Sequence, residues 1–192
     1  MGVVNPIAGF VLCGGESRRM GRDKALLEID GEPLVVRVAE AIRFVTEPVT
    51  LVGPRNLYEK LGFPVIEDEH RGSGPLSGIV AALENSLAPR ALILACDLAG
   101  IDREFVSQIC RKSLESNGFD AWVAENSERG LEPLCAIYHV RTLDRLRGHL
   151  LSKRLKLRDI LKEMRIERVP APGPATLANV NTPDDWKRHQ TS

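Results

Sequence analysis

Short apolar runs alternate with amphipathic segments along almost the whole chain, and the two periods are easily separated. Residues 7–13 are nearly all apolar, which predicts a strand buried on both faces. After Pro33, the residues Leu34, Val38, Ala41, Ile42 and Val45 fall on one side of a helix that the proline opens at its first position. Residues 48–52 predict a second strand, 56–61 a short helix and 64–66 a third strand. Gly, Pro, Ser and charge dominate 68–76, hence a loop, and 77–86 predicts a helix with Ile79, Val80 and Leu83 inward. Residues 90–96 hold another unbroken apolar run, and Asp102 is placed to cap a helix carrying Phe105, Val106 and Ile109.

Alternation of strand and helix argues for the α/β class, a mostly parallel sheet flanked by helices and joined by right-handed crossovers. Beyond Gly118 the rhythm changes. Residues 120–124 and 133–140 predict two strands around a polar loop at 125–132, followed by helices near 141–150 and 155–164. A Pro-rich link at 170–174 leads to Asn179-Val180-Asn181 and a last short helix starting at Pro183. No repeat or compositional break divides the chain, so residues 1–192 are expected to form one domain.

The 192 residues, 43% hydrophobic and 27% charged, suffice for a sizeable core without covalent staples. The 26 basic residues equal the 26 acidic ones, so no net field draws the chain to nucleic acid or a membrane surface. Any partner is therefore read by a local site. Cys13, Cys96, Cys110 and Cys135 are scattered without a C-x-x-C pair, which argues against a disulfide or zinc framework, and the four histidines are dispersed. The first residues lack a basic segment followed by an apolar stretch and a small-residue cleavage site, and no apolar run approaches ~18 residues. A cytoplasmic protein is expected.

Candidate chemistry gathers at predicted strand ends, where open α/β sheets bind ligands. The first run stops at Gly14-Gly15, and Arg18, Arg19 and Lys24 follow within ten residues. Glycines let backbone N–H groups approach an anion closely, and the cations add charge that amides lack, a composition for gripping polyphosphate. It is neither the common phosphate loop, since Gly21 is followed by Arg22-Asp23-Lys24, nor a G-x-G-x-x-G turn. A plain polar turn is the alternative. Asp97, directly after the run at 90–96, is either a helix cap or a hard oxygen ligand for Mg²⁺ bridging nucleotide phosphates; Asp102 suits the capping task better. Asp68 with Gly72-Ser73-Gly74-Pro75-Leu76-Ser77-Gly78 builds either a tight turn or a base and ribose pocket. Asn179 and Asn181, two apart on an extended segment, point the same way and suit a heteroatom-rich ligand, although Thr182-Pro183 also reads as a helix start. Arg129 and Glu132 are open between binding and structure.

These motifs, in this order, resemble the molybdenum cofactor guanylyltransferase family over nearly the whole chain. The likeness rests on Leu12-Cys13-Gly14-Gly15-Glu16-Ser17-Arg18-Arg19-Met20-Gly21-Arg22-Asp23-Lys24, Val65-Ile66-Glu67-Asp68, Gly74-Pro75-Leu76-Ser77-Gly78, Cys96-Asp97, Glu132-Pro133-Leu134 and Asn179-Val180-Asn181-Thr182-Pro183. The first of these is shared with many nucleotidyltransferases. The Gly14-Gly15 pair, where cytidylyl relatives tend to carry Ala-Gly or Ala-Ala, tilts the nucleotide towards GTP.

The resemblance implies a single-domain Rossmann-like nucleotidyltransferase fold. It implies transfer of GMP from Mg-GTP to the terminal phosphate of Mo-molybdopterin, giving the guanine dinucleotide and pyrophosphate. Leu12, Cys13, Gly14, Gly15, Lys24, Asp68 and Asp97 would contact GTP, with Asp97 also on Mg²⁺ and Arg18, Arg19 and Lys24 steadying the triphosphate. Asn179 and Asn181 would lie towards the pterin. Other cofactor-biosynthesis proteins and recipient molybdoenzymes are the implied protein partners. The competing activities are CMP transfer to the same pterin, NMP transfer to another phosphorylated small molecule, and nucleotide binding or cofactor delivery without catalysis. Two departures stand out: Cys13 replaces the usual alanine, and Val52-Gly53-Pro54 stands where some members carry an asparagine.

Overall fold

The computed structural model describes residues 6–13, 23–46, 48–70 and 72–180. Strand β1 (Ile7–Leu12) opens the fold, and a 3-10 turn (Lys24–Leu26) leads to a two-stranded ribbon, β2 (Glu28–Ile29) and β3 (Glu32–Pro33). Helix α1 (Leu34–Arg43), strand β4 (Val49–Val52), the single turn α2 (Arg55–Tyr58) and strand β5 (Val65–Ile66) follow. Then come α3 (Pro75–Glu84), β6 (Arg90–Ala95), α4 (Arg103–Glu115), β7 (Ala121–Asn126) and β8 (Gly130–His139). Helices α5 (Leu143–Leu151) and α6 (Leu157–Leu161), strand β9 (Ile166–Pro170) and a 3-10 turn (Pro174–Leu177) complete the described chain.

Seven strands form one sheet in the order β5-β4-β1-β6-β8-β7-β9. Every neighbouring pair is parallel except the two that involve β8, so the sheet is mixed, with one strand reversed. That reversal brings the start of β8 to the same edge as the carboxyl ends of β1, β4, β5 and β6.

The unbroken apolar runs follow from burial on both faces. Ile7 and Val11 of β1, with Leu92 and Leu94 of β6, face Val35, Val38 and Ile42 of α1 and Phe105, Val106 and Ile109 of α4. Phe10 and Leu12, with Ala91 and Ile93, face Leu76, Ile79 and Leu83 of α3 and Leu146 and Leu150 of α5. Alternate residues of each strand thus enter opposite cores, and a polar residue at either parity would lie in an apolar layer.

Several boundaries differ from expectation. Pro33 caps α1 from an extended conformation and pairs with Glu28, because the Leu34 N–H reaches the Leu27 carbonyl at 2.9 Å and holds the ribbon against the helix start. Helix α3 begins at Pro75, so Pro75 and Leu76 belong to it rather than to the preceding loop. The polar stretch at 125–132 is mostly strand: Asn126 is buried, and its side-chain oxygen takes the N–H groups of Glu128 and Arg129. That local turn lets β7 and β8 pair out to Asn126 and Gly130. Helix α6 is shorter than the 155–164 expectation, and β9 was not expected at all. The helix expected at Pro183 lies outside the described residues.

Asp120 fastens the far edge. Its carboxylate accepts from Arg141 Nε at 3.0 Å, the Arg165 N–H at 3.0 Å and Arg145 at 3.2 Å. Burial raises its pKa, but the Arg165 N–H and the two guanidiniums outweigh that and hold it below the ordinary value of 3.8. A depressed carboxylate stabilises the fold above the unfolded-state pKa and stops doing so as pH falls through the folded one. Asp120→Asn is therefore expected to lower stability at pH 7 by about 1–3 kcal/mol, roughly 2–4 °C in Tm for each kcal/mol. The gap to the wild-type protein closes as pH falls below 3.8, and thermal unfolding followed by circular dichroism across pH checks it.

Candidate functional site

The strand ends that carried candidate residues meet along one edge of the sheet. Lys24, raised on its 3-10 turn, donates from Nζ to Asp97 Oδ2 at 2.6 Å, and the two side chains are only 16% and 19% exposed. Asp97 leaves β6 just beyond Cys96, whose N–H is held by the Leu12 carbonyl at 3.1 Å. Its second oxygen, Oδ1, is buried and has no hydrogen-bond partner among the described residues. A half-satisfied buried carboxylate is costly unless something further occupies the free oxygen.

The chain returns to this corner near its end. The Val180 N–H donates to the Asp97 carbonyl at 3.0 Å, and the Val180 side chain packs with Ile29, Leu34 and Ala99. Asn179 is thereby set beside Asp97, and its own Oδ1 is likewise buried without a partner among the described residues. The Arg129 guanidinium donates to the Leu177 carbonyl and lies 3.4 Å from Glu132 Oε1. Glu132, at the reversed start of β8, has its pKa raised first by burial; Arg129 and Arg158 oppose that, and the Asp97 charge adds to it. Arg129 and Glu132 thus tether the returning segment, and Glu132 feels the charge of Asp97.

Leu12 and Cys13 form the buried floor where β1 ends. The Cys13 N–H donates to the Val52 carbonyl at 2.8 Å, and its thiol, pushed well up by burial and by Cys96, is no nucleophile. Asp68 spends both oxygens on its own turn, Oδ2 taking the Ser77 hydroxyl at 2.5 Å and Oδ1 the His70 N–H at 2.8 Å. That turn delivers Gly74, in a left-handed conformation with φ of 70°, to the start of α3. Gly14, Gly15, Arg18, Arg19 and Asn181 lie outside the described residues.

Three participants were given no individual role from the sequence. Asp23 caps the Lys24 turn through the Ala25 N–H at 2.9 Å, and Tyr58, 1% exposed, places its hydroxyl 2.7 Å from Asp23 Oδ2 and 2.8 Å from the Cys13 carbonyl. Ser77 is the third. Asp23 was findable as an acidic residue directly before a helical turn; Tyr58 sits 35 residues from Asp23, and nothing local announces that contact. Gly53 is explained in the same place. A Cβ there would lie 2.7 Å from the Cys13 oxygen and 2.8 Å from the Tyr58 ring, so this strand end is closed to a side chain.

A buried carboxylate with an ammonium on one oxygen and no described partner on the other suits a hard cation or phosphate chemistry. Among the described residues no three His, Cys, Asp or Glu side chains gather as a metal cluster. Mg²⁺ typically needs only one or two carboxylates and completes its shell with water and phosphate, so the donor set at Asp97 fits it. No helix among the described residues is long and apolar enough to cross a membrane.

Residues 9–169 match the family described as MobA-like NTP transferase domain. A probable molybdenum cofactor guanylyltransferase of Pelotomaculum thermopropionicum is 34% identical over 92% of this chain and 88% of its own length. A second protein of that name, from Opitutus terrae, is 34% identical over 96% and 95%. Among solved structures, molybdopterin-guanine dinucleotide biosynthesis protein A from Archaeoglobus fulgidus superposes with a TM-score of 0.81 at 26% identity, covering 96% of this chain and 97% of that one.

Proposed function

Because the chain belongs to the MobA-like NTP transferase family, whose match covers residues 9–169, we propose that it transfers GMP from GTP to the terminal phosphate of Mo-molybdopterin. An oxygen of that terminal phosphate bonds to the α-phosphorus of GTP, the bond from that phosphorus to the bridging oxygen breaks, and pyrophosphate leaves with the electron pair. The attacking group is already an anion, so no strong general base is required. The difficulty is electrostatic: two anions must meet while charge grows on the leaving group, and positioned cations are the remedy.

The observation that carries this reading is the Lys24–Asp97 pair at 2.6 Å, with Asp97 Oδ1 buried and without a partner among the described residues. Lys24 supplies a cation that its bond to the Asp97 carboxylate holds at the sheet edge. Asp97 Oδ1 is the group that would hold Mg²⁺, which when bound neutralises phosphate charge. Asn179 offers an amide to the acceptor, and the anchoring of Val180 and Leu177 holds it there. Arg18, Arg19 and the Gly14-Gly15 amides are proposed to grip the triphosphate, Leu12 and Cys13 to form the floor beneath it, and Asp68 to shape the pocket for base and ribose. Asn181 is proposed to act with Asn179.

Choice of nucleotide is the sharpest test. Pyrophosphate release is measured with GTP and with CTP, each with and without Mo-molybdopterin. The expected result is release with GTP that requires the pterin, and little with CTP. Preference for CTP, or release only with a different phosphorylated acceptor, would replace the proposal with one of the neighbouring transferase activities; nucleotide binding without release would make this a carrier.

A further inference from the structure

We propose that the Tyr58 hydroxyl is a positioning group for Lys24, fastening the Asp23 carboxylate to the end of β1 so that the next residue presents its amine to Asp97. The inference rests on the transferase reading above. Asp23 and Lys24 are chain neighbours with opposite charges, and an unrestrained Asp23 carboxylate would compete with Asp97 and with phosphate for the Lys24 ammonium. Both Asp23 oxygens are instead occupied: Oδ1 by the Ala25 N–H at 2.9 Å and Oδ2 by Tyr58 at 2.7 Å.

Tyr58 is built to hold that position. Its hydroxyl also lies 2.8 Å from the Cys13 carbonyl, so the single phenolic proton is shared between two acceptors. One acceptor directly follows β1 and the other caps the Lys24 turn, and the phenol bridges them. The ring is 1% exposed and wedged beside Gly53, where even a methyl group would collide with Cys13 and with the ring itself. Burial, then the bond to Asp23, pushes the Tyr58 pKa up, so the proton stays in place across the neutral range and the latch does not titrate with the reaction. The geometry makes Asp23 the partner of a tyrosine while Lys24 donates to Asp97.

A double-mutant cycle tests this. Tyr58→Phe keeps the ring and the packing and removes only the hydroxyl. With GTP and Mo-molybdopterin, it is expected to lower kcat by about tenfold with little change in the KM for GTP, the pattern of a misplaced group that acts in the transition state. In a Lys24→Ala background the same change should matter by less than about twofold, because the residue it positions is gone. Asp23→Ala, which removes the acceptor of the Tyr58 hydroxyl, should reproduce both results. General weakening of the fold would lower activity in both backgrounds alike, so equal losses overturn the inference, as does a Tyr58→Phe protein within about twofold of wild type. A wild-type protein that releases no pyrophosphate from any nucleotide overturns the transferase reading itself, and the latch with it.

Discussion

Lys24→Ala and Asp97→Ala should each lower GMP transfer by about 10²–10³-fold, the usual effect of removing one preorganised charge from a site where charge develops in the transition state. The two losses differ in character. Lys24→Ala removes the cation but leaves Asp97, so the residual activity keeps its dependence on added Mg²⁺. Asp97→Ala removes the free oxygen at which Mg²⁺ is proposed to bind, so residual activity should respond weakly to it. Stability should separate them in the opposite sense. Asp97 has no other described partner for its carboxylate, so losing Lys24 strands a largely buried negative charge, whereas a lysine that loses Asp97 can carry its amine towards water on a flexible stem. Lys24→Ala is expected to show the larger fall in Tm. Near-wild-type turnover in either variant would remove that residue from the mechanism.

Gly100→Ala should damage the fold and the acceptor side together. A Cβ at Gly100 would lie 2.0 Å from the Ala175 carbonyl oxygen and 3.1 Å from its carbon. Both are backbone atoms, so no side chain can rotate out of the way. The 3-10 turn Pro174–Leu177 has to shift, and with it the Arg129 contact at Leu177 and the Val180 bond to Asp97. Overpacking of this kind costs about 1–3 kcal/mol. That corresponds to roughly 2–12 °C in Tm for a chain of this size. If the returning segment serves the acceptor, the KM for Mo-molybdopterin should rise more than the KM for GTP. Unchanged melting and unchanged pterin KM would mean that the segment is not held as the structure places it.

Legibility in the sequence followed burial. Strands β1 and β6 were plain because both their faces enter apolar cores, and α1 and α4 because one face does. Strand β9 was missed because it is a sheet-edge strand: Ile166, Glu167, Arg168, Val169 and Pro170 include only one fully buried residue, Val169, and the run reads as a polar linker ending in proline. The ends of β7 and β8 were hidden for a related reason. Glu125, Gly130 and Glu132 are paired strand residues with polar or absent side chains, and the turn between them is closed by Asn126 from within.

The candidate residues were legible as types at strand ends, since a run of apolar residues that stops at Gly14-Gly15 or Asp97 marks where backbone and charge meet solvent. By itself the sequence determined that the chain builds a doubly covered α/β sheet, and it led to the expectation of phosphate chemistry at the carboxyl edge of that sheet. Which groups actually meet was decided only by the tertiary structure. Lys24 reaches Asp97 across 73 positions, Tyr58 reaches Cys13 across 45, and Val180 hydrogen-bonds to the Asp97 backbone. Such pairings depend on which strands become neighbours and where the chain returns, and local periodicity carries no information about either. The physical reason is that a side chain's propensity is set by its own few neighbours, whereas a partly buried carboxylate takes its meaning from whichever distant cation, hydroxyl or amide the closed sheet brings within about 3 Å of it.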